Sequence, residues 1–447
     1  MEGGARRPLS GATSALGFAY MTNRNRTIGR RHLVAGASAC GVVGAFAGGR
    51  LVRAQTPQPA APSPPAQPAP LPRRRIRLQP FDLRADQITD IKVCLRPFRA
   101  MGPRFDVEHV GNKLVFHNYG HGGSGWSLSW GSASVVVEKV STTLQRKVAV
   151  IGCGIIGLTT ALTAQRAGFD VTIYTKDLLP RTRSVRANGS WTPDSRISLT
   201  APAGPEFADL WERMARISWA TYRDYLGLPG NPVEFIEHFS FSDRPFDAPH
   251  EERPDGRTGD YASTGMPQHG SEFARYSGRI KDIVPAAEEL TPAESPFAAP
   301  YAKRGSLMLY NFASYGHLLM SEFFQAGGHV VIREFHDPSE LTSLPEKVII
   351  NCPGYAARDW WNDKSLIPVR GQTAWLPPRP DLPYGLHYHG ASAVSKTDGL
   401  MVQAYDLDNE GEMGGVGNSF EHPDRSESER AIKVLADLFA RSPISEG

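Results

Sequence analysis

One stretch limits the choice of fold more than any other: Lys147 to Thr175, KVAVIGCGIIGLTTALTAQRAGFDVTIYT. Val148 to Ile151 form a short apolar run rich in β-branched residues, the pattern of a strand buried on both faces of a parallel sheet. Gly152, Gly154 and Gly157 follow at G-x-G-x-x-G spacing, an apolar helical pattern runs on to Gly168, and Val171 to Tyr174 read as the next strand. In such a unit the first glycine makes the tight turn, the second lets a pyrophosphate approach the backbone, and the third lets helix and strand touch. Free N–H groups and the positive end of the helix dipole then hold the phosphates. The spacing alone would also suit a packing turn. Strand, turn, helix and strand together make it a dinucleotide site, with Gly152, Gly154, Ile155, Ile156 and Gly157 as its cradle.

A ribose-binding carboxylate is expected about 20 residues after the glycines, but Thr175-Lys176-Asp177 stand there. For the ribose contact, Asp177 displaced by one position and Thr175 with the backbone both stay open, and Lys176 is either turned toward a phosphate or simply solvated.

The rest of the 447-residue chain bounds the class. A net charge of +3 gives no support to a nucleic-acid or anionic-surface partner, and four cysteines (Cys40, Cys94, Cys153, Cys352) provide neither a disulfide framework nor zinc spacing. Arg30-Arg31 precede an uncharged small-residue run, Leu33 to Gly49, and Val52-Arg53-Ala54 offers a cleavage site. Residues 1–54 therefore read as a signal peptide of the twin-arginine type, which implies the twin-arginine machinery as a partner and a periplasmic or secreted destination. An uncleaved anchor with weak membrane association, and a lipoprotein box at Cys40, are the alternatives. Residues 55–75 are a Pro-rich linker, and folded structure is expected to start between Ile76 and Ile91.

Within the folded part, Ile91 to Phe98 predict a strand broken at Pro97, and Leu114 to His117 a second one. That strand runs into Asn118-Tyr-Gly-His-Gly-Gly-Ser-Gly-Trp126, whose glycines predict backbone lying against a ligand. A helix is expected over Ser127 to Leu144, with Ser127 or Ser129 as its N-cap. Phe207 to Leu226 predict an amphipathic helix. Met308 to Gly327 predict a strand and then a helix, and Val330–Ile332 and Val348–Asn351 two short strands. Trp375-Leu376, Leu386–Tyr388 and Met401–Ala404 suggest an antiparallel sheet, and Glu427 to Phe439 a final helix. Asp243 to Gln268 read as a surface insertion.

Six of these segments resemble one family, the FAD-dependent D-amino-acid oxidases, with D-aspartate oxidase as a close relative. They are CLRPFR (Cys94 to Arg99), VFHNYGHGGSGWSLSWG (Val115 to Gly131), VIGCGIIGLTTAL (Val150 to Leu162), NGSWTP (Asn188 to Pro193), VIINCPG (Val348 to Gly354) and PVRGQ (Pro368 to Gln372). The resemblance implies an α/β fold: a Rossmann-type FAD-binding domain and a second, mainly antiparallel-sheet domain for the substrate. On that basis residues 76–200 are expected to bind FAD and residues 201–447 the substrate, with further FAD-binding segments at about 305–372. The family carries its arginine strand and HNYGHGG loop near the C-terminus, whereas here they come before the dinucleotide unit. The sequence thus looks circularly permuted, and Ile91 is expected to lie near Arg441.

The same resemblance assigns roles. Arg96 is the expected carboxylate clamp, since a guanidinium fork matches a carboxylate bidentately. Tyr388, preferred over Tyr384, is the expected hydroxyl beside it, and Gly123 is expected to offer its carbonyl to the substrate amine. Gly122, Gly123, Ser124, Gly125, Trp126 and Ser127 are expected at the flavin as a helix N-terminus, where the reduced cofactor gathers negative charge. Trp191 and Pro193 are expected to wall the ring, Cys352 and Gly354 to lie beside the cofactor, and Arg333 to reach its adenine side. Arg99, His117 and His121 are read as structural. The implied activity is oxidative deamination of a small-molecule amino acid, with dioxygen as acceptor and hydrogen peroxide, ammonia and a 2-oxo acid as products. A quinone-linked dehydrogenase, a glycine- or sarcosine-type oxidase and a flavin-binding module without turnover are the alternatives. Side-chain preference and oligomeric state are left open, with His387 and His389 noted as a pair that would favour an acidic side chain.

Overall fold

The computed structural model describes residues 75–248, 265–408 and 410–441. The leader expected over 1–54, nearly all of the linker and much of the insertion after Asp243 lie outside these residues. No helix among the described residues is long and apolar enough to cross a membrane.

In chain order the strands are β1 (Asp90–Phe98), β2 (Val107–Val110), β3 (Lys113–His117), β4 (Lys147–Ile151), β5 (Asp170–Thr175), β6 (Val233–Ser242), β7 (Glu288–Leu290), β8 (Tyr301–Tyr310), β9 (His329–Ile332), β10 (Val348–Asn351), β11 (Ile367–Leu376), β12 (Tyr384–Tyr388), β13 (Ala391–Lys396) and β14 (Gly399–Ala404). The helices are α1 (Gly125–Val140), α2 (Ile155–Arg166), α3 (Thr200–Ala203), α4 (Pro205–Arg223), α5 (Phe312–Gln325), α6 (Ala357–Trp360) and α7 (Arg425–Ala440).

Two sheets result. The first has six strands in the order β2-β3-β10-β4-β5-β9, parallel except for β2. Its central strands are apolar throughout because both faces are covered: Val148 and Val150 belong to the main core, while Ala149 and Ile151 pack with Tyr174 and Leu341 on the other side. The second has eight strands in the order β1-β11-β14-β13-β12-β6-β8-β7 and is antiparallel except where β12 runs parallel to β6.

Chain order and sheet membership cross over. Residue 200 is not a sheet boundary: β1 lies in the eight-stranded sheet, paired with β11 from Asp90↔Trp375 to Phe98↔Ile367, whereas β9 and β10, far downstream, complete the six-stranded one. Pro97 does not break β1. It sits opposite Pro368, and as an edge strand β1 leaves the missing N–H of a proline without a ladder to interrupt. The chain leading into β1 packs on the last helix: Phe81 meets Phe439 edge-on at 6.4 Å, and the Arg425 guanidinium donates to the Ala85 carbonyl at 2.7 Å.

Helix α1 differs from expectation at both ends. It starts at Gly125, because a turn from His121 to Ser124 hands directly into the Leu128 N–H to Ser124 carbonyl bond. It stops at Val140, where the Ser141 and Thr142 hydroxyls donate back to the carbonyls of Val137 and Lys139 and satisfy the helix end. Twelve of its sixteen residues are buried, so its hydrophobic pattern could not mark where it begins.

Strand pleat decides what faces the site. In β12, Tyr384, Leu386 and Tyr388 share a face with Phe239 and Phe241 of β6 and with Leu400 and Val402 of β14, and α7 covers that face with Leu435, Leu438 and Phe439. The alternate residues, His387, His238, Ser392, Val394, Met401 and Gln403, turn to the opposite face and line the cleft described next.

Candidate active site

A cleft of about 750 Å³ opens between the carboxyl ends of the six-stranded sheet and this second face of the other sheet. Carboxyl ends of parallel strands are where an open α/β sheet leaves room for a ligand.

Its floor on the six-stranded side is built by glycine. Gly152 has φ +98°, and a Cβ there would stand 2.6 Å from the Cys352 carbonyl. A Cβ on Gly157 would stand 2.0 Å from the carbonyl of Gly152. Gly152, Gly154, Ile155 and Ile156 line the cleft, whereas Gly157 lies beneath it and holds α2 against the turn. The hydroxyl of Ser184 accepts from the Ile155 N–H at 3.0 Å, and its carbonyl accepts from the Trp126 indole at 2.8 Å. Ser184 thus ties the two glycine-rich loops together, a role that no local sequence signal announces.

Several groups, rather than one carboxylate, stand at the end of β5 where a ribose contact is expected. Thr175 is buried and donates to the Asp177 carbonyl at 2.7 Å, so its hydroxyl shapes the turn. Lys176 pairs with Glu334 at 2.7 Å. Glu334, which the sequence reading passed over, lines the cleft together with Thr175, Lys176 and Asp177. Arg333 also lines it, stacked over Phe335 at 4.6 Å and bonded to Ser343.

The HNYGHGG loop brings Gly122, Gly123, Gly125 and Trp126 to the cleft. Ser124 and Ser127 do not reach it. The Ser124 hydroxyl donates to the Ser195 carbonyl at 3.1 Å, and the Ser127 hydroxyl accepts the Thr192 N–H at 2.8 Å, so the two serines fasten the loop to the NGSWTP segment and to the turn that follows it. Trp191 is a second correction. It turns inward against Trp219 at 5.0 Å and Tyr222 at 6.2 Å, while Pro193 accepts from the Trp211 indole, so neither walls the cleft. Asn188, Ser190 and Thr192 of the same segment do. Lys396, buried between the rings of Phe312 and Trp375, donates to the carbonyls of Tyr310 and Asn188 and braces this loop from behind; burial pulls its ammonium down to about 8. Cys352 and Gly354 line the cleft, and burial pushes the Cys352 thiol up to about 12, an unreactive group.

On the side of the eight-stranded sheet stands Arg96. Its guanidinium lies over Gly371 and donates to the Arg370 carbonyl at 3.1 Å, with no acidic side chain paired to it among the described residues. Burial, and then the neighbouring charge of Arg196, pull it down to about 10, so it is still a cation at neutral pH. Tyr388 is not beside it. Its hydroxyl donates to Asp243 at 2.8 Å and receives Arg441, on the covered face of the sheet, and Tyr384 donates to the Gln79 carbonyl while stacking on Phe81. The residues that do join Arg96 are Arg196, Gln403, Tyr405, His238 and His387. Burial pulls His238 down to about 3, helped by His387, and His387 itself down to about 4, so both are neutral. His389 is exposed and paired with Asp243 instead.

The other expected structural residues are so placed. Arg99 bonds Ser365 and Gly102, His117 bonds Glu108 at 2.7 Å, and His121 bonds Ser132 at 2.8 Å, its ring pulled down to about 3 by burial.

Charge in the cleft is one-sided. Arg96, Lys176, Arg181, Arg183, Arg186, Arg196 and Arg333 line it against only Asp177 and Glu334. Such a lining suits a pyrophosphate and a carboxylate ligand together.

Residues 147–446 match the family model described as FAD dependent oxidoreductase. The chain belongs to the FAD-dependent oxidoreductases of the D-amino-acid oxidase family. Curated relatives include D-amino-acid oxidases of Streptomyces coelicolor, 29% identical over 230 residues, and of Dictyostelium discoideum, 26% identical over 228. The first alignment covers 51% of this chain and 58% of that relative, the second 50% and 55%, so the chain matches little more than half of either relative's length. Among solved structures, glycine oxidase from Geobacillus kaustophilus superposes with TM-score 0.44 at 14% identity over 67% of this chain and 81% of its own. L-amino acid deaminase from Proteus vulgaris does so with TM-score 0.42 at 11% identity, over 67% and 76%.

FAD is the cofactor of this family, and the cleft fits it. The turn where a Cβ cannot be accommodated at Gly152 and the first turn of α2 offer bare backbone that would hold a pyrophosphate, and Thr175, Asp177, Glu334 and Arg333, which line the same end of the cleft, would flank the adenosine. Gly122 and Gly123 of the loop, and Gly125 and Trp126 at the start of α1, face the same cleft.

Proposed function

We propose that this protein is an exported oxidase of free D-amino acids, producing a 2-oxo acid, ammonia and hydrogen peroxide. The observation that carries the reading is Arg96, a part-buried cation in the family's cleft with no acidic side chain paired to it among the described residues. A partly dehydrated guanidinium in that state suits an anionic ligand, and a carboxylate fits its fork bidentately.

Bound FAD supplies a two-electron acceptor for the hydrogen on the substrate's α-carbon and passes the electrons to dioxygen. The chain's own part is to bind and orient. Arg96 fixes the α-carboxylate, and the Gly122–Trp126 backbone at the start of α1 favours negative charge beside it. His238 and His387, held neutral by burial, present polar but uncharged edges, so the substrate amine meets no competing cation on that side. No histidine in the cleft is basic enough to be charged at neutral pH, which suits a reaction whose difficult step is hydride transfer and not proton abstraction. The amine leaves its proton to solvent, and the imine product adds water to give the oxo acid and ammonia. D-specificity follows the curated relatives, and export follows Arg30-Arg31 and the apolar run after it.

Anaerobic bleaching of the purified yellow protein tests the reading, using a panel of D- and L-amino acids alongside Arg96→Ala. Bleaching by D-isomers alone, lost in the variant, supports it. A flavin reduced by L-isomers, or by no amino acid, refutes it.

A further inference from the structure

The cleft holds a second arginine that the reading above does not use. Arg196 follows the NGSWTP segment and adopts φ +48°, a left-handed conformation that a residue with a long side chain seldom takes. The surrounding backbone enforces it. Gly123 N–H and the Ser124 hydroxyl both bond to the Ser195 carbonyl, and a Cβ at Gly122 would stand 1.8 Å from the Arg196 carbonyl. The loop that faces the cofactor therefore also dictates where this arginine stands.

Its side chain is largely covered, 12% exposed, and it lines the cleft together with Arg96. The two arginines, with Gln403 and Tyr405, also wall a side cavity of about 310 Å³ beyond them. Arg196 bonds the Glu412 and Gly411 carbonyls, at 2.9 Å and 3.4 Å, and approaches the Glu412 carboxylate at 3.4 Å. Glu412, 37% exposed, is the acid within ion-pair reach of Arg196 among the described residues. Of the acids that line the side cavity, Glu427 pairs with Arg370 at 2.7 Å and Asp408 with Arg430 at 2.5 Å, and Asp406, Glu410 and Asp424 also line it. Asp177 and Glu334, the acidic residues of the cleft lining, stand after β5 and β9 with the adenosine-side residues.

We propose that Arg196 is a second carboxylate anchor, and that the site selects D-amino acids whose side chain ends in a carboxylate. This rests on the oxidase reading. A substrate with one carboxylate satisfies Arg96 alone. A dicarboxylate satisfies both guanidiniums, with the neutral His238 and His387 offering further hydrogen bonds and no charge. A lysine-like side chain directed at Arg196 meets a like charge in a partly dehydrated site, where repulsion is costly.

The test is steady-state turnover of the FAD-loaded enzyme with D-aspartate, D-glutamate, D-alanine and D-lysine. The expected kcat/KM for the better dicarboxylate exceeds that for D-alanine by about tenfold or more, with D-lysine lowest, as a charge-assisted bond predicts. Arg196→Met lowers the dicarboxylate-to-alanine ratio about tenfold, mainly through KM, and Arg196→Lys restores part of it. Glu412→Gln, which leaves Arg196 in place and removes its competing carboxylate, raises the ratio, and so provides a readout should Arg196→Met fail to fold. D-alanine turned over as well as either dicarboxylate, or a ratio unmoved by Arg196→Met or lowered by Glu412→Gln, overturns the anchor and leaves the oxidase reading standing. If no D-amino acid reduces the flavin, that reading falls and takes the anchor with it.

Discussion

The two sheets meet the same cleft with different chemistry. The six-stranded sheet offers backbone: Gly152 and Gly157 are required because backbone carbonyls crowd where a side chain would be, and Gly154 leaves room for the Ser184 hydroxyl. The eight-stranded sheet offers side chains: Arg96, His238, His387 and Gln403 each project from a strand, chosen by pleat. Backbone sites leave a mark in the sequence, because only glycine meets the demand. Side-chain sites depend on which way a strand is turned, and the residue types alone do not say.

The contrast is broken most severely on the backbone side. Gly157→Ala places a Cβ 2.0 Å from the Gly152 carbonyl, and neither atom belongs to a side chain that can swing away. The turn and α2 must separate, at a cost of about 3 kcal/mol or more. The expected outcome is a protein purified without colour, its flavin absorbance relative to protein absorbance down about tenfold. A fully yellow variant would show that α2 can shift freely against the turn.

On the side-chain side the expected loss is of turnover and not of cofactor. Arg96→Leu keeps the flavin absorbance and lowers kcat/KM for D-amino acids about 100-fold, the size expected when a charged hydrogen-bonding partner is lost. Loss of colour in Arg96→Leu would place this arginine with the cofactor and merge the two halves of the comparison.

How much was legible follows the same division. Lys147 to Thr175 gave up its strand, turn, helix and strand, because the glycine spacing and the change from continuous to helical hydrophobic periodicity are local signals. Arg96 was readable through its Arg-Pro segment. Tyr388 was misread for a physical reason. The segment YGLHY from Tyr384 to Tyr388 is covered on both faces, by the cleft on one and by α7 on the other, so no polar alternation reveals the pleat. Trp191 failed in the same way, since an aromatic in a loop fits a core wall as well as a ligand wall. Arg196 and Ser184 were invisible because their positions are set by distant partners, Gly122 for one and the Ile155 N–H for the other.

A pH dependence separates buried polar groups of the two regions. His121, 2% exposed in the HNYGHGG loop, is held neutral with its ring pulled down to about 3 by burial, whereas in the unfolded chain it titrates near 6.5. The unfolded chain therefore takes up this proton first as pH falls. The stability is fully present above about pH 6.5 and is lost progressively toward pH 3, on the order of 3 kcal/mol by pH 4. His121→Gln, measured by thermal unfolding from pH 7 to pH 4, is expected to flatten that decline. His238→Gln at the open substrate side is expected to flatten it less, because His238 is only part-buried at the cleft wall. Equal slopes for the two variants would mean that the substrate side is as closed to water as the cofactor loop.

The smallest expected effect is the sharpest check on pleat. Tyr388 and Tyr405 both stand near the substrate end in sequence, but only Tyr405 lines the cleft. The Tyr388 hydroxyl is spent on Asp243 and Arg441. Tyr388→Phe leaves those two charged groups to each other and to water near a rim where Asp243 and Arg441 are reachable by solvent, so about 1 kcal/mol of stability is lost. Turnover should then change by less than about twofold, because His387, next to it in the strand, keeps its place through the Ser240 hydroxyl at 3.3 Å. Tyr405→Phe removes a hydroxyl from the cleft itself and should raise KM about fivefold, the value of a single hydrogen bond of about 1 kcal/mol. If the two variants exchange these behaviours, β12 is turned over in solution, and His387 and His238 would leave the site with it.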